Sequence, residues 1–214
     1  MKAVKRTILD TACDIFNQQG FVNTRIAHIA EAVGISSGNL AYHFKNTHEI
    51  LAAVFSELKE KQVAILSDIL LTPLFQNFNR YLSESFQLQH RYLFFYAEML
   101  PLMRISSTIT GDYQQHIRWQ EIQFELLLQA YQARGAFRAD LPAESFSQLA
   151  ILLRRSIDSW WMSRLTEGKE MNGAEDFCDD IWGIFQPYFS DSGLKEYQGM
   201  APLKESSLSS PTEI

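Results

Sequence analysis

Apolar residues recur along this chain every three or four positions, and no stretch alternates apolar with polar long enough to build a sheet. That periodicity predicts an all-α protein. Val4, Ile8, Ala12, Ile15 and Phe16 line one face of a first helix, which Gly20 stops. A short helix follows from about Arg25 to Val33, with Ile26, Ile29, Ala30 and Val33 on one face. Gly34 ends it, since only glycine takes a left-handed C-cap without steric cost. Ser36 or Ser37 can cap a second short helix through about Phe44. Asn46-Thr47-His48-Glu49 sets an acid three residues after an N-cap asparagine, close to a capping box, and opens a long helix from Thr47 to about Leu70. Beyond it, segments punctuated by Pro73, Pro101, Gly111, Gly135, Pro142, Gly168, Gly173 and Pro187 predict helices over 74–88, 90–103, 112–134, 143–166 and 174–189. From Asp191 the chain turns polar, and a mobile tail over 191–214 is expected.

Two short helices joined by a glycine turn, with an N-terminal helix packed across them, make a helix-turn-helix. In that unit the second short helix lies in the DNA major groove and the first crosses the backbone. The residues of the second helix suit this use. Ser36, Ser37 and Gly38 are small enough to let a helix N-terminus approach phosphates closely. Asn39 can pair with an adenine edge through both ends of its amide. Tyr42, His43 and Lys45 can each reach a phosphate oxygen and set the register, while Leu40 and Phe44 anchor the helix inward. The same geometry occurs in helical proteins that never meet DNA, so on its own it leaves binding and plain packing both open.

Composition narrows the alternatives. At 214 residues the chain can hold a small domain and a larger one, each with a core. Its two cysteines, Cys13 and Cys178, show no ligand or disulfide spacing, which excludes a zinc motif and suits a reducing cytoplasm. No apolar run approaches the roughly 20 residues of a membrane span, and the first residues lack the apolar core of a signal peptide. A cytoplasmic protein without a membrane partner is expected. The net charge of −6 is uneven: residues 1–50 carry five Lys/Arg against four acids, leaving the deficit to the remainder. This permits a DNA-facing N-terminal part. The five histidines form no HExxH pair, and GxSxG, P-loop and GxGxxG motifs are absent. No enzyme activity, metal or cofactor is expected.

The pattern Gly20-Phe21-x-x-Thr24-x-Ile26-x-x-Ile29-Ala30-x-x-x-Gly34-Ile35-Ser36-x-Gly38-Asn39-Leu40-x-Tyr42-His43-Phe44-Lys45-Asn46-x-x-Glu49-Ile50-Leu51 closely resembles the DNA-binding domain of the TetR family of bacterial transcriptional regulators. The resemblance implies a DNA-binding domain over 1–50 and a helical effector-binding and dimerisation domain over 51–190. It implies a homodimer on a palindromic double-stranded operator, acting as a repressor that a small molecule releases. The DNA contacts would be Thr24, Arg25, Ser36, Ser37, Gly38, Asn39, Tyr42, His43 and Lys45. Three departures from the family pattern stand out. Ala41 replaces a frequent aromatic contact, Thr47 replaces a usual lysine, and Arg25 stands where Ser or Thr commonly caps the first short helix. The last can restore a phosphate contact while costing about 1 kcal/mol of capping.

Past residue 51 no motif remains, so candidates rest on residue chemistry. Tyr92, Phe95, Tyr96, Met99, His116, Trp119, Gln123 and Arg154 combine aromatic stripes with isolated polar groups, as small-molecule pockets do. Core packing explains such stripes equally well, and Arg154 with Asp158 reads as an i,i+4 ion pair. A ligand-independent DNA-binding dimer, organising DNA or docking to a protein partner, therefore stands beside the effector-released repressor. Leu149, Leu152, Ile157, Ile181, Trp182, Phe185 and Phe189 in the last two predicted helices supply more apolar area than one core face needs. They are the expected dimer surface, two helices from each chain forming a four-helix bundle.

Overall fold

A computed structural model describes residues 2–169 and 173–200. The fold is all-α. Its elements are α1 (Lys2–Gln19), α2 (Ile26–Val33), α3 (Ser37–His43), α4 (Thr47–Leu71), α5 (Phe75–Arg91), α6 (Leu93–Ala97), α7 (Met99–Ile105), α8 (Ser107–Ala133), α9 (Ser145–Glu167), α10 (Ala174–Phe185), a 3-10 turn at Gln186–Tyr188 and α11 (Asp191–Gly199). Among the described residues no helix is long and apolar enough to cross a membrane.

The first four helices follow their local signals. Gly34 takes φ 77° at the end of α2, and the Ile35 N–H reaches back to the Ala30 carbonyl at 3.0 Å, closing a left-handed cap. Ser36 caps α3 by accepting from the Asn39 N–H at 3.1 Å. Ahead of α4, Asn46 accepts from the Glu49 N–H (3.0 Å), while the Glu49 carboxylate accepts from the Lys45 N–H (2.9 Å). The second bond thus lands one residue before the usual capping-box donor.

Three expectations need correction. The helix expected over 90–103 is two helices, with the backbone turned at Tyr92 and at Glu98. Pro101 explains the second break: it has no N–H for the Ala97 carbonyl and its ring would collide with that oxygen. It is tolerated in the first turn of α7 instead. Gly111 does not precede α8 but lies within it, because Ser106 caps that helix further upstream by accepting from the Ile109 N–H. The tail expected to be mobile from Asp191 begins as α11. Ser190 caps it, Glu196 pairs with Arg134 at 2.6 Å and accepts from the Phe75 N–H at 2.8 Å, and the Tyr197 ring lies tilted against Trp182 and Phe189. At Gly193 a Cβ would overlap the Ala136 carbonyl, so the helix lies directly on that backbone. Residues 201–214 of the expected tail lie outside the described residues.

The chain divides into two compact units. Of the described residues, the first holds 2–64, 85–118 and 158–169, so it extends well past the N-terminal 50 residues. Its core joins Ile8, Phe16, Ile29, Leu40 and Phe44 to Val54, Phe55, Phe95 and Leu102. Of the described residues, the second holds 65–84, 119–157 and 173–200. Its centre is aromatic: Phe75 meets Tyr131, Trp182 and Phe189 at ring separations of 4.8–5.0 Å.

Candidate nucleic-acid interface

Leu40 and Phe44, four residues apart, are buried and fasten α3 to the first unit. Their burial fixes the rotation of the helix and turns its other side outward. Ser36, Ser37, Gly38, Asn39, Tyr42 and Lys45 are exposed, His43 is half-buried, and Tyr42 is 77% exposed with its ring set edge-on to His43 at 5.3 Å. Arg25 is exposed at the N-cap of α2 in extended backbone. Its own side chain makes no cap bond, but His28 accepts from the Arg25 N–H at 3.3 Å, offsetting part of the missing serine or threonine. Thr24 does not belong to this surface. It is 6% exposed, and its hydroxyl donates to the Gly20 carbonyl (2.8 Å) and accepts from Gln19 (3.3 Å). The hydroxyl holds the α1–α2 turn rather than facing a phosphate.

The helix behind this surface, α1, is gripped by a segment some 77 residues away. Arg91 pairs with Asp10 and Asp14. The Arg91 carbonyl, left over at the end of α5, accepts from the Cys13 thiol (3.1 Å) and the Asn17 amide (2.9 Å). Asn17 also accepts from the Phe94 N–H at 2.9 Å, so one side chain bridges the end of α5 and the start of α6. The Glu98 carboxylate accepts from the Phe21 N–H at 2.8 Å, tying the next break to the α1–α2 turn. Burial pushes the Cys13 thiol up to about 11, so it acts as a donor. Nothing in the sequence signalled this grip. Its polar residues are scattered singly and meet only through the fold.

Comparison with known proteins agrees with the geometry. Residues 8–54 match a family model described as bacterial regulatory proteins of the tetR family. Residues 51–197 match a second, described as bacterial transcriptional repressor, which covers well over half of the chain. The chain belongs to the TetR family. The regulator RutR of Escherichia coli K12 is 38% identical over 74 residues, 35% of this chain and 31% of that protein. The regulator AcrR of Shigella flexneri is 34% identical over 62 residues, 29% of this chain and 28% of that one. The matched part thus spans about a third of these curated relatives. A TetR-family regulator from Marinobacter aquaeolei VT8 shares the fold across 94% of this chain and 97% of its own, with TM-score 0.78 at 20% identity. A structure of SmeT in complex with triclosan shares it across 88% and 93%, with TM-score 0.64 at 18% identity.

The sequence candidates beyond residue 51 fall at several places in this TetR-family protein. Tyr92, Phe95, Tyr96 and His116 come together in the first unit, all buried, with Met99 partly so. Phe95 stacks on Phe55 at 5.1 Å and meets Tyr96 and Tyr113 edge-on. Their polar atoms are already satisfied. Tyr92 donates to Glu57 (2.9 Å) and accepts from Lys61 (3.1 Å). Gln62 donates to Tyr96 (2.9 Å) and lies 2.9 Å from His116 Nε2. Burial pulls His116 down to about 4, leaving it neutral. The partners of all three groups, Glu57, Lys61 and Gln62, lie on α4. Trp119, Gln123 and Arg154 fall in the second unit, where Arg154 pairs with Glu121 at 2.9 Å. Glu121 is a partner that i,i+4 spacing did not show. The expected dimer residues also need correction. Leu149, Ile157, Ile181, Trp182, Phe185 and Phe189 are buried within the protomer, and only Leu152 of that set is exposed. Trp182 packs on Phe75 and Phe78 and donates to Asn79 at 3.0 Å. In the same unit, Ile122 and Leu126 of α8 are exposed, one turn apart.

Proposed function

We propose that this TetR-family regulator is a cytoplasmic repressor that binds a palindromic operator as a homodimer and is released by a small apolar or aromatic effector. The observation that carries the DNA reading is the two-sided α3: Leu40 and Phe44 inward, Asn39, Tyr42 and Lys45 outward. Asn39 reads a base edge, and Arg25, Tyr42, His43 and Lys45 hold phosphates. One seven-residue helix reads too few bases for specificity, so two-fold pairing on half-sites supplies the rest. Ile122 and Leu126, one turn apart on α8, and Leu152 on α9 are exposed apolar positions that a second copy would cover.

Effector binding is supported by the fold shared with SmeT, solved in complex with triclosan. The grip of the Arg91–Glu98 segment on α1 is a route by which an effector changes the presentation of α3. A second reading, a regulator with no effector, draws on Tyr92, Tyr96 and His116 being satisfied internally. Selecting duplexes from a random pool, then screening compounds for loss of fluorescence anisotropy of the selected duplex, separates the two. A selected palindrome released by a compound supports the first reading. Tight binding unmoved by every compound supports the second, and no selection of any duplex overturns both.

A further inference from the structure

Among the described residues of the first unit, two buried polar side-chain atoms have no partner: the Gln89 Oε1 acceptor and the Trp161 Nε1–H donor. Gln89 is 2% exposed and Trp161 1%. Neither atom can be reached by bulk water, and leaving a buried hydrogen-bonding group unmade is unfavourable. The two are complementary, one acceptor and one donor, yet they do not bond to each other. Their helices nevertheless meet. Phe86, one turn before Gln89 on α5, stacks on Trp161 at 4.8 Å and 25°. His90, next to Gln89, lies 5.5 Å from the Trp161 ring, and Trp160 meets Phe86 edge-on at 5.8 Å. An orphan donor and an orphan acceptor thus stand on facing helices amid aromatic rings.

We propose that Gln89 and Trp161 are the polar anchors of a ligand site for a small neutral aromatic carboxamide or lactam. This deepens the effector reading above and rests on it. The ligand carbonyl accepts from the indole N–H, the ligand N–H donates to the Gln89 oxygen, and the apolar body lies against Phe86 and Trp160. A carboxylate is disfavoured, because one neutral indole donor in a buried setting does not replace its hydration and it offers nothing to the Gln89 acceptor. The position also supplies regulation. Gln89 stands two residues before Arg91, whose carbonyl and guanidinium hold Cys13, Asn17, Asp10 and Asp14 of α1. A ligand that draws Gln89 toward Trp161 acts on the end of α5, and so on the helix that supports α3.

The test uses the nitrogen-15-labelled full chain, whose four tryptophans give four indole N–H signals. Trp161→Phe removes one and identifies it. Benzamide is the probe, with benzoate and toluene as companions lacking a neutral donor–acceptor pair. The expected result is a saturable shift of the Trp161 signal by benzamide. Benzoate and toluene should bind at least about tenfold more weakly, and Gln89→Met should weaken benzamide by about tenfold. No shift with benzamide, the result a resident water predicts, overturns the proposal. So do a shift confined to Trp119, Trp160 or Trp182, or toluene binding as tightly as benzamide. The probe series on the parent chain decides even if a variant fails to fold. A compound that releases DNA while leaving the Trp161 signal unmoved removes this site and leaves the effector reading standing. Benzamide binding as expected, in a protein that no compound releases from DNA, removes the effector reading instead.

Discussion

Replacing Gly20 by alanine perturbs two things at once, and the structure allows them to be separated. Gly20 has φ 79°, a left-handed conformation that costs an alanine about 1 kcal/mol. A Cβ there would also overlap the Glu98 carboxylate, which accepts from the adjacent Phe21 N–H at 2.8 Å. Glu98 is a flexible side chain and can withdraw, but doing so breaks a charge-assisted bond worth about 1.5–3 kcal/mol. Gly20→Ala should therefore destabilise by about 2.5–4 kcal/mol. Gly34→Ala is the control: φ is 77°, but nothing lies within 4 Å of the added Cβ, so only the conformational cost of about 1 kcal/mol applies. In a Glu98→Ala background the bond is already gone, and Gly20→Ala should then cost no more than Gly34→Ala. Urea denaturation of the parent, the three single variants and the Gly20→Ala/Glu98→Ala pair gives the coupling, expected at about 1.5–3 kcal/mol. Strict additivity, or Gly20→Ala no worse than Gly34→Ala, would refute the tie between Glu98 and the α1–α2 turn.

Further outcomes follow from the same geometry. Lys45→Ala should weaken all duplexes alike and lower the slope of binding against salt by about one unit, measured by anisotropy at several ionic strengths. Burial holds His116 at about 4, below its unfolded value of 6.5, so the unfolded chain binds the extra proton between these pH values. Stability should fall as pH drops from about 6.5 toward 4, by up to roughly 3 kcal/mol, and His116→Gln should flatten that dependence in denaturant titrations. Leu126→Glu should turn a sedimenting dimer into a monomer without loss of helicity by circular dichroism, whereas Leu126→Ala should only weaken it.

The sequence made the first fifty residues readable because their signals are local. Gly34, Ser36 and the Asn46–Glu49 cap each bond within a few residues, so spacing alone locates the helices. What spacing does not carry is which apolar face meets which. Trp182 and Phe185 looked surplus because their partners, Phe75, Phe78 and Phe137, lie far off in the chain. The face they crowd is the inside of the protomer, whereas the less conspicuous Ile122 and Leu126, like Leu152, are exposed. The same limit hid Gln62, which pairs with Tyr96 and His116 from the long helix α4. Thr24 was misplaced for the opposite reason. Its hydroxyl is consumed locally at the end of α1, and a resemblance to DNA contacts cannot show that.

The account stands on α3 presenting Asn39, Tyr42 and Lys45 to DNA while Leu40 and Phe44 hold it in place. The most direct measurement compares affinity for a duplex selected from a random pool with affinity for its scrambled counterpart, for the parent and for Asn39→Ala. The account predicts a large preference in the parent. It predicts that Asn39→Ala keeps affinity for the scrambled duplex but relaxes choice at one or two symmetric base pairs, by roughly 1–3 kcal/mol each. An Asn39→Ala protein that discriminates every base pair as the parent does would contradict it.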